Sequence, residues 1–172
     1  MTLQTFSIAV DIVSSVAVFA AIIFGVTQIR QYRQQRRDMA AIELVRSVQD
    51  HEFTNGYRLI HVLPEGISAA DFRALGSEHI RYALAVGMKY ETIGLLVFKG
   101  VIPLSIVEEL VGGVAIVFWR RLSPWVEAMR KEQSSDFVFE WFEWLVDLLV
   151  ARGRDVREPA NKQYTDWGGK YA

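Results

Sequence analysis

Three histidines and a handful of carboxylates are the groups from which this 172-residue chain could build a reactive site. A histidine beside a carboxylate serves as a general base; two histidines four apart on a helix, with a glutamate between them, hold zinc and activate water. His51-Glu52 begins that second pattern, but Phe53, Thr54 and Asn55 follow and no histidine completes it. No Glu-x-x-His of the di-iron bundle type occurs. His51 and His61 stand ten residues apart, so on one helix they point in different directions. His61 and His79 lie in no motif, and each histidine reads as an ordinary, partly exposed side chain. A phosphate-cradling GxxxxGK[ST] loop, a GxGxxG turn and a serine nucleophile elbow are all missing. The chain has no cysteine, which excludes disulfides, thiolate metal sites and cysteine nucleophiles, and suits a reducing cytoplasm. No catalytic residue, metal ligand or cofactor site is assigned on these grounds.

The carboxylates offer more. Glu91 lies in MKYETIGLLVF, among apolar neighbours. A buried charge needs a partner, and Arg120 or Arg121, at the end of the following helix, could supply it as an ion pair fixing two helices. Glu108 and Glu109 sit inside the apolar run 101–118, beside Gly112 and Gly113. An enzyme reading would place its site at Glu91 or at Glu108/Glu109. The pair also decides what that run is. Two central carboxylates would cost several kcal/mol in a bilayer, so it reads as a core helix. Its paired glycines let another helix pack close or mark a bend.

Asp11 is the third carboxylate of interest, because it lies in a long apolar run, FSIAVDIVSSVAVFAAIIFGVTQIRQYRQQRR at 6–37. The 24 residues from Phe6 to Ile29 make a helix of about 36 Å, enough for a hydrocarbon core of about 30 Å. A cleaved signal carries its charge before the apolar core; here MTLQT is uncharged and Arg30, Arg33, Arg36 and Arg37 follow. The run therefore reads as an uncleaved single-pass anchor. The positive-inside rule then puts the N-terminus outside and the rest in the cytoplasm. The arginines would lie against anionic headgroups.

Within the run, Asp11, Ser14, Val18, Ala21, Gly25 and Gln28 recur at alternating steps of three and four. This small or polar stripe predicts self-association, since small residues let helices approach and polar ones bond across the contact. Asp11 could instead sit at the outer headgroup edge. In a ring of many copies the stripe would line a pore with a carboxylate ring favouring cations, which is the alternative reading of function.

The elements that position all this are helical. TQIRQYRQQRRDMAAIELVRSVQ holds no Gly or Pro, which predicts one helix of more than 40 residues, from about Thr5 to Asp50. Ser68 with Asp71 forms a capping-box variant, and Gly76 closes the short helix it opens. Ser77 caps a helix ending at Gly100. Pro103 opens another, Ser123-Pro124 a further one, and Ser135-Asp136 opens DFVFEWFEWLVDLLVAR, which stops at Gly153. No stretch alternates with period two between hairpin turns. The fold class is all-α, with one N-terminal transmembrane helix continuing into a cytoplasmic bundle of five or six helices. The divisions are 1–29 for the N-terminal segment and transmembrane helix, 30–50 for its basic extension, 51–152 for the helical domain and 153–172 for the tail. Trp167 and Tyr171 are possible contact points within that tail.

Charge follows the same partition. Residues 30–37 carry +4, residues 38–150 carry −6 and residues 151–172 carry +2. An acidic body argues against nucleic acid, which needs clustered Lys and Arg. The aromatic stretch FVFEWFEWLVDLLV has an acidic polar face, unlike a helix made for anionic lipid; it suits a helix buried on one side and open to a protein partner on the other.

YETIG at 90–94, WRRLSPWVE at 119–127 and the aromatic FEWFEWLVDLL resemble a bacterial family, the domain of unknown function numbered 4760. The resemblance covers roughly residues 30–150. It implies a bacterial, membrane-anchored protein and brings no activity, substrate or site residue. The expected role is a single-pass, membrane-anchored interaction module that self-associates through its first helix, with a protein partner at the cytoplasmic face.

Overall fold

A computed structural model describes the backbone of residues 3–48 and 50–165, and their side chains apart from those of 3–16, 37, 41 and 48. Among the described residues every regular element is helical. The elements are α1 (Leu3–Val48), α2 (His51–His61), α3 (Ala69–Ala74), α4 (Ser77–Phe98), α5 (Leu104–Val107), a π-helical turn (Glu108–Gly112), α6 (Gly113–Gln133), α7 (Glu140–Ala151) and α8 (Ala160–Gln163). The chain forms two units, one ending at Ile42 and the other beginning at Glu43.

The first unit is α1 as far as Ile42. Its described side chains are exposed on every face, with Gly25 and Ala40 half-exposed. Among the described residues no helix is long and apolar enough to cross a membrane. The side chains of residues 6–16, the first part of the expected span, lie outside the described set.

The second unit is a helical bundle. Polar side chains start its helices. Asp50 is extended and its carboxylate accepts the Phe53 N–H at 2.7 Å, which starts α2; before it α1 runs unbroken from Leu3 to Val48, matching the single helix of more than 40 residues expected from about Thr5 to Asp50. Asp50 and the Ser47 carbonyl also both accept from Lys89 of α4. The Ser68 hydroxyl accepts the Asp71 N–H at 3.1 Å and donates to its carboxylate at 2.6 Å, so the capping box opens α3 as expected. Helix α4 begins at Ser77 with Gly76 before it, and no side chain caps it; Ser77 lies inside the helix rather than capping it. It ends as Gly100 turns left-handed, with φ of 68°.

Two breaks read from the sequence are placed differently. Pro124 was expected to open a helix, yet it lies inside α6. Proline cannot donate to the carbonyl four residues before it, here that of Arg120. The Gly66 N–H donates to that carbonyl at 3.2 Å instead, so the helix continues through the proline. Ser135-Asp136 was expected to open α7, which begins only at Glu140. Ser134 and Phe139 both adopt left-handed backbone, with φ of 50° and 55°. For a bulky residue that costs about 1–2 kcal/mol. The turn at Phe139 puts its ring against Gly87 of α4, where an added Cβ would lie 2.6 Å from the ring.

The close-packing reading of Gly112-Gly113 holds, and the backbone leading into the pair is irregular. Glu108–Gly112 winds as a π turn, and a Cβ on Gly112 would meet Leu149 of α7 at 3.2 Å. The core joins α2, α4, α6 and α7 through aromatic rings. Tyr90 stacks on Phe142 at 4.7 Å and meets Phe118 edge-on at 6.2 Å, with Phe53 tilted against both. Trp125 of α6 packs on Phe72 of α3 at 5.0 Å. The first tail residues are held to the bundle rather than lying outside it. Arg154 donates to the Glu108 carbonyl at 2.8 Å and Asp155 pairs with Arg120 at 3.0 Å.

Candidate functional site

Glu91 does not meet Arg120 or Arg121. Arg120 pairs with Asp155, and Arg121 donates to the Leu63 carbonyl at 2.6 Å. The Glu91 carboxylate instead accepts the Phe142 N–H at 2.9 Å. Phe142 is the third residue of α7, whose own flanking residue, Phe139, offers no side-chain cap. Glu91 thus does from α4 what an N-cap residue does from within a helix. Burial raises its pKa; the N–H groups of Phe142 and Trp141 oppose that, Glu140 adds to it and Arg130 offsets it.

The approach needs a gap in the surface of α4. Gly87, Glu91 and Gly94 fall on one face at steps of four and three. A Cβ on Gly94 would lie 2.2 Å from the Trp141 carbonyl oxygen. Two glycines flanking a carboxylate on one helical face is the signal that an approaching backbone, and not an arginine, satisfies the acid. Beside this joint the Tyr90 side chain is fully buried and burial pushes its phenol pKa up. Among the described residues its hydroxyl has no hydrogen-bond partner.

Glu108 and Glu109 form no joint site. The Glu108 carboxylate faces Arg152 at 3.1 Å and Arg157 at 4.0 Å, while Glu109 is exposed. The histidines stay apart. His51 lies 3.1 Å from the Asn55 amide, His61 stacks on Tyr57 with ring centres 5.2 Å apart, and His79 is on α4. An open groove of about 590 Å³ runs past Asn55, Arg58, His61, Glu78 and Tyr82. Within it the Asn55 amide donates to the Tyr82 hydroxyl at 3.2 Å. Among the described residues no three His, Asp or Glu side chains are placed to hold a metal ion.

The α1 residues singled out by spacing are only partly described. Val18, Ala21 and Gln28 are exposed and Gly25 half-exposed; the side chains of Asp11 and Ser14 lie outside the described residues. Arg30, Arg33 and Arg36 are exposed, and that of Arg37 also lies outside. The Arg36 guanidinium donates to the Tyr32 hydroxyl at 3.1 Å and sits 5.0 Å from the centre of its ring. Trp167 and Tyr171 lie outside the described residues too.

Comparison with known proteins bears on the whole arrangement. No curated protein and no solved structure matches the chain. A family model described as a domain of unknown function matches residues 15–148. That stretch runs from α1 through the Gly87–Glu91–Gly94 face to most of α7, and the chain therefore belongs to this family, DUF4760.

Proposed function

We propose that the chain is a single-pass, membrane-anchored interaction module, self-associating through α1, with its helical body on the cytoplasmic side of a bacterial inner membrane. The observation that carries this reading is the surface of α1. Val18, Phe19, Ile22, Ile23, Phe24, Val26 and Ile29 are each 45–68% exposed; all but Phe24 share one broad face, and Ala17, Ala20, Ala21 and Gly25 lie on the rest, so no charge interrupts residues 17–29. A helix apolar all round belongs inside protein or lipid. At about 1.5–3 kcal/mol for each such side chain removed from water, the driving force is on the order of 10 kcal/mol. That exceeds the cost of about 2.5–3.5 kcal/mol for an aspartate such as Asp11, even at the bilayer centre. The basic stretch that follows supports the orientation.

The test is alkaline carbonate extraction of membranes carrying the full-length chain, followed by protease protection and mass measurement in nanodiscs. The expected result is retention in the pellet, a body open to protease from the cytoplasmic side, and more than one copy per disc. Release by carbonate would overturn the anchor. A monomer would overturn self-association, and a ring of five or more with conductance would favour the pore.

A further inference from the structure

The outer face of the α4–α7 joint carries an aromatic cluster that the core does not use up. Phe98 lies 4.6 Å from Trp141 and 5.7 Å from Trp144, and the two tryptophans are 6.0 Å apart. Phe98 is 53% exposed, Leu95 one turn earlier is 36% exposed, and both tryptophans are half-buried. Paired tryptophans beside an exposed phenylalanine are the composition that dominates binding energy at interfaces.

The rim is acidic. Glu140, Trp144 and Asp147 share the outer strip of α7 at steps of four and three. Glu143 is occupied by Arg130 at 2.7 Å, and Lys99 lies over the Phe98 ring at 5.7 Å. Among the described residues no cation pairs with Glu140 or Asp147. Glu140, Glu143 and Asp147 outnumber the neighbouring Arg130 and Lys99, so negative charge is in excess along this strip. A lipid surface rich in anionic headgroups would be repelled. A cation would be drawn in by the carboxylates and held beside the tryptophan rings, Lys99 already lying over that of Phe98.

We propose that the Phe98–Trp141–Trp144 face is a docking site for a cationic amphipathic helix of a partner protein. The partner's apolar side chains cover the rings, and its arginines or lysines meet Glu140 and Asp147. This deepens the reading of the body as an interaction module, and it holds whether or not α1 crosses a bilayer.

The test measures binding of a labelled synthetic helical peptide of about five turns, leucines on one face and arginines flanking them. The target is the full-length chain in zwitterionic nanodiscs, with binding to empty discs subtracted. Saturable binding is expected, weakened about tenfold by the Glu140→Arg/Asp147→Arg pair and weakened by added salt. Phe98→Ala is expected to weaken it too, while Glu78→Arg, a reversal at an exposed position on the first turn of α4, leaves it unchanged. Equal binding by wild type and the Glu140/Asp147 pair overturns the proposal. So does binding to plain vesicles that needs Phe98 when the peptide does not bind, since that assigns the face to lipid. Carbonate release of the chain with peptide binding intact would refute the anchor alone.

Discussion

Replacing Glu91 separates two things its carboxylate does at the start of α7. Glu91→Ala removes the acceptor and leaves the Phe142 N–H without a partner in a part-buried joint. An amide stranded in this way costs about 1–3 kcal/mol. Glu91→Gln keeps a carbonyl oxygen as acceptor and removes only the charge. The charge is held at a disadvantage, because burial raises the Glu91 pKa above the ordinary glutamate value of 4.5. A carboxyl raised in the folded state binds its proton more tightly there than in the unfolded chain. Its contribution to stability is present below the unfolded pKa and is lost as pH rises through the folded one. At pH 7 the glutamine variant should therefore be at least as stable as the parent. As pH falls toward 4 the parent should gain on it. Urea unfolding of the full-length chain, followed by helical circular dichroism, reads all three proteins. With slopes of about 1–3 kcal/mol per molar, Glu91→Ala should lower the midpoint by about 1 M. A glutamine variant as unstable as the alanine variant at pH 7 would refute this reasoning, because charge and not the acceptor would then hold the joint. An alanine variant with an unchanged midpoint would refute the cap itself.

Other outcomes follow from neighbouring features. Gly94→Ala puts a Cβ 2.2 Å from the Trp141 carbonyl, and backbone must move; a loss near the upper end of about 1–3 kcal/mol is expected by denaturation, and an unchanged midpoint would refute the close approach. Tyr90→Phe removes a buried hydroxyl with no partner among the described residues and should be neutral or stabilising by about 1 kcal/mol, whereas a clear loss would reveal a bond to that oxygen. At Asp50 burial acts to raise the pKa, but hydrogen bonds from Lys89 and the Phe53 N–H outweigh it and hold it below 3.8. The stability it lends is present above that value and lost on acidification, so Asp50→Ala should cost about 1 kcal/mol at pH 7 and progressively less as pH falls below 4. Glu108→Gln loosens Arg152 and Arg157, and trypsin should then cut faster after residues 152, 154 and 157; an unchanged digestion rate would show that Glu108 does not hold the tail.

What could be read along the chain was whatever its physics keeps local. Ser68 caps a donor three residues away, and Gly100 and Gly153 end helices through their own backbone freedom, so these boundaries fell where expected. Helical character throughout the body, and membership of the family, were legible for a similar reason: pattern and motif are carried by neighbouring residues. The misplacements share the opposite cause. Pro124 breaks a helix only if its orphaned carbonyl stays unsatisfied, and Gly66 satisfies it from far away in the chain. Ser135-Asp136 looks like a helix start, but Phe139 turns left-handed to reach Gly87. Glu91 was correctly seen to need a partner, yet that partner is a backbone amide, which leaves no mark in side-chain composition. Only the glycines at 87 and 94 hint at it.

The bond from Gly66 to Arg120 also sets how one exposed loop behaves over time. Gly66 is solvent-exposed, in a connection held by two neighbouring residues of α6: Arg120 through its carbonyl and Arg121 through its guanidinium on the Leu63 carbonyl. Exposed loop amides ordinarily exchange their hydrogen with solvent through local openings of nearly zero free energy. The Gly66 amide is instead tied to the middle of a core helix. Its exchange should report the opening of α6 around Pro124, making this surface position a clock for motion deep in the bundle.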